Sequence, residues 1–178
     1  MRSEFPTADV VVADVGADSD VATLDAAIAR AGQLNHVVAP LGAWWQRGPS
    51  IDEQPVELDG LLATYTSAQF RLLRTAAPHL RRTNGSYTLV TGAAGEMLLP
   101  GTGLLVVAVR AQYALADVLR QELAADPIRF NELRIAARIE RTPRPGVIAS
   151  ETLGAVFVDI MTGDVRSELI RYPATPPL

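Results

Sequence analysis

Side chains able to do chemistry are few in this sequence, and the most suggestive lies beside a turn of small residues. Glu96 follows Thr91-Gly92-Ala93-Ala94-Gly95 and precedes the apolar Met97, Leu98 and Leu99. A carboxyl group among apolar neighbours has a raised pKa, which suits a general acid or base. Trp44, Trp45 and Arg47 share one loop, and Arg138 and Glu140 another. Brought to one end of a sheet, these residues make an apolar cleft with arginines and carboxylates. Such a cleft binds a small apolar or acidic ligand, or moves protons without a cofactor, with Glu96 and Arg138 (or Arg47) as the working pair. The plainer alternative makes Glu96 a solvated turn residue. The tryptophans likewise have two readings: lining for a flat ligand, or a packing plug or interface.

Other chemistries are excluded by composition. There is no Cys, so disulfides, thiolate nucleophiles and Cys-bound metal are out. His36 and His79 stand alone without a second ligand at metal spacing, so no metal site is expected. All 16 basic residues are Arg. The absence of Lys removes Schiff-base chemistry and a phosphate-loop Lys, and Arg stays protonated at any ordinary pH. A net charge of −4 offers no basic stripe for nucleic acid. The longest strongly apolar run, residues 104–109, is too short to cross a bilayer, and the acidic start with Pro6 is unlike a signal peptide. A cytoplasmic protein is the expectation.

The elements that must position these residues alternate between strand and helix. Residues 8–14 (ADVVVAD), 35–39, 86–90, 128–135 and 168–172 predict five strands. The first is a continuous apolar run, as in a buried parallel strand. Helices are predicted over residues 21–31, with Asp18, Ser19 and Asp20 as cap candidates, and over 56–82, 103–125 and 150–161. Residues 142–145 read as a short Pro-rich connection. With no repeat and no long linker, residues 1–178 form a single domain. Parallel strands in sequence order would put every crossover helix on one face and leave the other bare. A partner would then cover it.

From Asp9 onward the order of motifs resembles the short-chain dehydrogenase/reductase family. Asp14-Val15 is similar to the family's adenine-contacting pair. Ala39-Pro40-Leu41-Gly42 stands where the family has Asn-Asn-Ala-Gly, and Arg74-Thr-Ala-Ala-Pro-His-Leu80 matches the end of the next helix. Leu115, Leu119, Glu122 and Leu123 match the helix closing on Glu-Leu, and Ile128-Arg129-Phe130-Asn131 the following strand. The resemblance implies an α/β, Rossmann-like parallel sheet of about five strands with flanking helices, lacking the first βαβα cofactor-binding unit. Whether residues 8–14 lie beside residues 35–39 or apart from them is left open.

The departures bear on function. Thr91–Gly95 imitates the opening of the family's TGxxxGxG, but the later glycines fall on Glu96 and Leu98, and a carboxylate repels phosphate. Counting back from Glu122-Leu123, the family's catalytic Tyr, Lys, Ser and Asn positions fall on Leu105, Val109, Gly92 and Tyr65. Leu and Val transfer no protons. Trp44, Trp45, Arg47, Tyr65, Gly92, Glu96, Leu105 and Glu140 are the cleft candidates, with no cofactor expected. The first function implied is a catalytically degenerate relative acting by association with itself or with a full-length reductase subunit. The two long helices, with Ala108, Ala111, Ala114 and Leu115, would make that contact. The alternatives are a cofactor-independent isomerase, cyclase or small-molecule binder, and an NAD(P)-dependent oxidoreductase.

Overall fold

The computed structural model describes residues 8–142 and 144–173. Its elements, in order, are α1 (Asp18–Ala31), β1 (His36–Ala39), α2 (Pro55–Leu62), α3 (Ala68–Thr83), β2 (Ser86–Gly92), α4 (Gly103–Glu122), β3 (Arg129–Ile135), β4 (Arg138–Glu140), β5 (Val147–Ala149), α5 (Ser150–Thr162) and β6 (Leu169–Tyr172). Four strands form a parallel sheet in the order β1-β2-β3-β6, and β4 and β5 pair separately, also in parallel. This is the Rossmann-like α/β architecture that the alternation of elements predicts.

Helix ends follow local chemistry. Pro55 begins α2, where its missing N–H costs nothing. A π-helical turn over Ala63–Ser67 joins α2 to α3, so the single predicted helix is continuous in course but interrupted in winding. Asn84 ends α3 in the left-handed conformation. The cap position of α1 is Ala17, so Asp18, Ser19 and Asp20 lie within the helix rather than capping it.

One predicted strand is absent. Residues 8–14 have no regular secondary structure and lie outside any ladder, and Val10, Val11 and Val12 are exposed, Val12 by 92%. A continuous apolar run does not make a strand without a neighbouring edge to bond, and among the described residues these seven have none. Asp14 instead accepts a hydrogen bond at Oδ1 from the Gly16 N–H (2.7 Å), a local turn.

The expectation of one bare face is also corrected. Tyr87, Leu89 and Phe130 pack with Leu73, Ala76, Leu80, Ala116 and Leu119 of α3 and α4. Leu133, three residues beyond Phe130 and therefore on the opposite face, packs with Ile148, Leu153 and Ile160. The β4–β5 pair precedes α5, and α5 packs onto this second face through Leu153 and Ile160. Ala108 and Leu115 also differ from expectation. Both face the core, while Val107, Ala111, Ala114 and Val118 lie on the outer side of α4.

Candidate active-site cleft

The cleft opens beyond the carboxyl ends of β1, β2 and β3, where a parallel sheet leaves room between diverging loops. An inner cavity of about 270 Å³ runs between the loop after β1, the end of β2 and α4. It adjoins an outer recess of about 570 Å³ through Trp44, Gly92, Ala94, Ile135 and Ala137, which line both.

Leu105, Val109, Gly92 and Tyr65 all line the inner cavity. Four positions inferred from motif order are thus brought to one place by the fold. Leu105 and Val109 are fully buried on α4, one turn apart. Tyr65 sits on the π-helical turn. Its hydroxyl accepts from the Ala43 N–H (2.8 Å) and donates to the Ala43 carbonyl. Burial pushes the phenol pKa up, against the bond to Ala43. This tyrosine fixes the loop after β1. Gly42 makes the contact possible: φ is +116° there, and a Cβ would stand 2.4 Å from the Tyr65 ring.

The remaining candidates divide. Trp44 is 56% exposed and lines both cavities. Trp45 turns inward onto the cluster of Tyr65, Leu105, Ala108 and Val109. Each tryptophan takes one of the two readings, Trp44 as lining and Trp45 as plug. Arg47 lies outside the lining, 5.6 Å over the Trp45 ring and 3.2 Å from Glu57. Arg138 lines the outer recess with its side chain 74% exposed. Glu140 is outside it and bonds to Arg144, which holds its carboxyl below the usual range.

Glu96 is not in the cleft. It accepts from Arg134 Nη1 (3.0 Å) and Arg171 Nη1 (3.0 Å to Oε2), and Arg171 Nη2 bonds it as well. Arg134 in turn donates to Glu132 Oε1 through Nε (3.1 Å) and Nη2 (2.7 Å), and lies 3.5 Å over the Tyr113 ring. Glu132 is wholly buried, with Arg120 on Oε2 (2.8 Å) and Thr91 Oγ1 on Oε1 (2.8 Å). Burial opposes the charge on Arg134, but the Glu132 bonds outweigh it and raise its pKa. Two guanidinium groups, those of Arg134 and Arg171, occupy the Glu96 carboxylate. Glu132 and Arg134 lie on β3, whose segment the sequence marks only as a strand. Their spacing of two, placing both on one face, was the available signal.

A third residue missed by sequence is Gln112 on α4. It lines the inner cavity at 1% exposure, and its Nε2 has no hydrogen-bond partner among the described residues. An unpaired buried amide costs about 1–3 kcal/mol. Cofactor fit is decided by the donor set. Among the described residues the lining of the two cavities holds one cation, Arg138. The turn after β2 is only the four-residue Ala93–Glu96, packed against Tyr113, whose ring a Gly95 Cβ would meet at 2.7 Å. These residues do not fit a pyrophosphate, which needs converging N–H groups or cations.

A family model described as Enoyl-(Acyl carrier protein) reductase matches residues 1–152. The chain belongs to the short-chain dehydrogenase/reductase family. No curated protein matches it. Among solved structures, the NADH-dependent enoyl-[acyl-carrier-protein] reductase of Aquifex aeolicus VF5 is 19% identical with a TM-score of 0.81, covering 95% of this chain and 74% of that one. A protein described as a short-chain dehydrogenase/reductase from Burkholderia xenovorans is 16% identical, with a TM-score of 0.79 and coverage of 96% and 74%. ElxO, solved with NADP bound, is 12% identical with a TM-score of 0.78, covering 96% and 80%. At these identities the structural likeness concerns the fold alone. Among the described residues no helix of this short-chain dehydrogenase/reductase is long and apolar enough to cross a membrane.

Proposed function

We propose that this chain is a catalytically degenerate short-chain dehydrogenase/reductase that works by association, and that its partner is a second copy of itself. The observation that carries this reading is the outer stripe of α4. Val107 and Val118 are half exposed, with Ala111 and Ala114 between them. The stripe reads the same in both directions, Val-Ala-Ala-Val at spacings of four, three and four. Two antiparallel copies of α4 related by a twofold axis would set Val107 against Val118 and Ala111 against Ala114. That self-complementarity is what an isologous interface requires, and alanines at the centre allow close approach.

The cleft supports the first half of the reading. At the positions where the family keeps its proton-transfer groups stand Leu105, Val109 and Gly92, and the hydroxyls of the lining are committed, Tyr65 to Ala43 and Thr91 to Glu132. The isomerase reading loses its base, since Glu96 faces Arg134 and Arg171 away from the cavity. An NAD(P)-dependent reductase ranks last on the donor set of the lining.

Sedimentation of the intact protein at micromolar concentration tests the association. A dimer that the double variant Val107→Glu, Val118→Glu converts to folded monomer is the expected result. A wild-type monomer, or a dimer indifferent to both changes, overturns it. Titration with NADPH followed by tryptophan fluorescence tests the other half, where saturation at micromolar levels would restore the reductase.

A further inference from the structure

Two stretches of this chain carry backbone groups that no described residue bonds. The first is the run before α1. Residues 8–13 make no backbone hydrogen bond among the described residues, and Val10, Val11 and Val12 are exposed. The second is the outer edge of β1. That strand ends the sheet, with β2 on one side and no ladder on the other. The Asn35 carbonyl accepts from the Ser86 N–H (2.9 Å), across to β2. Alternate residues of a parallel strand bond to the same neighbour, so His36 and Val38 turn their N–H and C=O groups to the open side. An edge of this kind is a template for one further strand.

The run fits the template. Three consecutive valines favour the extended chain, and in a strand they project to alternate faces. Val37 packs on the core formed with α3 and α4, and Val38, next along β1, belongs to the other face. An added strand of valines continues the apolar layer on both. Within its own chain the run is held away from β1. The Asp14 N–H donates to the Asp20 carboxylate (2.7 Å), and Arg71 Nη1 donates to the Gly16 carbonyl (2.8 Å), fixing the turn where the run enters α1.

We propose that residues 8–14 of one copy add as a strand to the open edge of β1 in a second copy. This contact is separate from the α4 stripe and does not rest on it. A ladder on a four-residue strand is small. It therefore forms at protein concentrations on the order of 100 µM and leaves the micromolar sedimentation result unchanged.

The chain has no Cys, so introduced thiols report on this contact alone. Val12→Cys and His36→Cys are made in separate chains, one enlarged by a tag, mixed at about 500 µM and treated with bismaleimidoethane. A product joining tagged to untagged chain is expected. Adding Val11→Pro should reduce it about tenfold, because Pro cannot donate to a ladder. Val11 makes no backbone bond in the folded body, so this change spares the fold. In the unmodified protein, amide exchange at His36 and Val38 should slow about tenfold between micromolar and 500 µM protein, and not in Val11→Pro. Absence of the mixed product, a product indifferent to Val11→Pro, or exchange independent of concentration overturns the proposal. So does cross-linking within a single chain that carries both thiols, which would return the run to its own edge. A product lost with Val107→Glu, Val118→Glu would belong to the α4 contact and overturn it as well.

Discussion

Helix α4 contributes to two adjoining regions built on opposite principles. In one, Leu105, Val109 and Gln112 line a cavity whose walls carry no charge among the described residues. In the other, Tyr113 and Arg120 join a lattice of Glu96, Glu132, Arg134 and Arg171. The lattice contains the ionisable groups a chemist would first choose as catalysts, and every carboxylate in it is bonded to a guanidinium. The cavity contains none of them, and holds the unpartnered amide. Paired charges near the sheet are therefore structure here, and the cavity lies where charge is missing. A buried charge is tolerable only with partners, so a carboxylate with two arginines has little left to offer a substrate.

The comparison can be broken at several points. The largest effect is expected from Glu132→Gln, which leaves Arg120 and Arg134 without their buried counterion. Urea denaturation should show a loss of about 3–5 kcal/mol, and a loss below about 1 kcal/mol would mean the lattice is not structural. Next comes the cleft wall. Gly42→Ala places a methyl group against Tyr65 at a backbone angle that alanine avoids, and should cost about 2 kcal/mol or more. Unchanged stability would show that the loop after β1 is not clamped.

Gln112→Leu should move stability the other way. Exchanging an unpartnered amide for an apolar group of similar size is expected to stabilise by about 1 kcal/mol without ligand. A destabilisation matching that of Glu132→Gln would erase the distinction between the regions. The smallest effect concerns pH, through a pair outside both. Burial acts to raise the Asp126 carboxyl, but bonds from Arg81 (2.9 and 2.8 Å) and the Ile128 N–H outweigh it, holding its pKa below 3.8. A lowered folded pKa gives stability that is present above the unfolded value and lost as pH falls through the folded one. Asp126→Asn should flatten the acid limb of the urea midpoint below about pH 4, and an unchanged limb would remove this pair from the account.

Much of the fold was legible because it is local. Gly32, Gly163 and the pair Asn84-Gly85 mark ends that the structure keeps, and α5 begins at Ser150 as the pattern predicts. The convergence of Tyr65, Gly92, Leu105 and Val109 on one cavity was legible through motif order. The strand at residues 8–14 was not, because a strand is defined by its neighbour. The β4–β5 pair was hidden by the Pro-rich connection between its strands, and with it the passage of α5 to the second face.

The sequence by itself determined the alternation of elements, the family, and the absence of a Tyr–Lys pair, since these depend on residue type and on spacing along the chain. Only the tertiary structure decided what each polar side chain faces. Glu96 meets Arg171 from 75 positions away, and Gln112 is buried with its Nε2 unpartnered among the described residues. Electrostatic energy depends on distance through space and on exclusion of water, and neither is written in the order of residues.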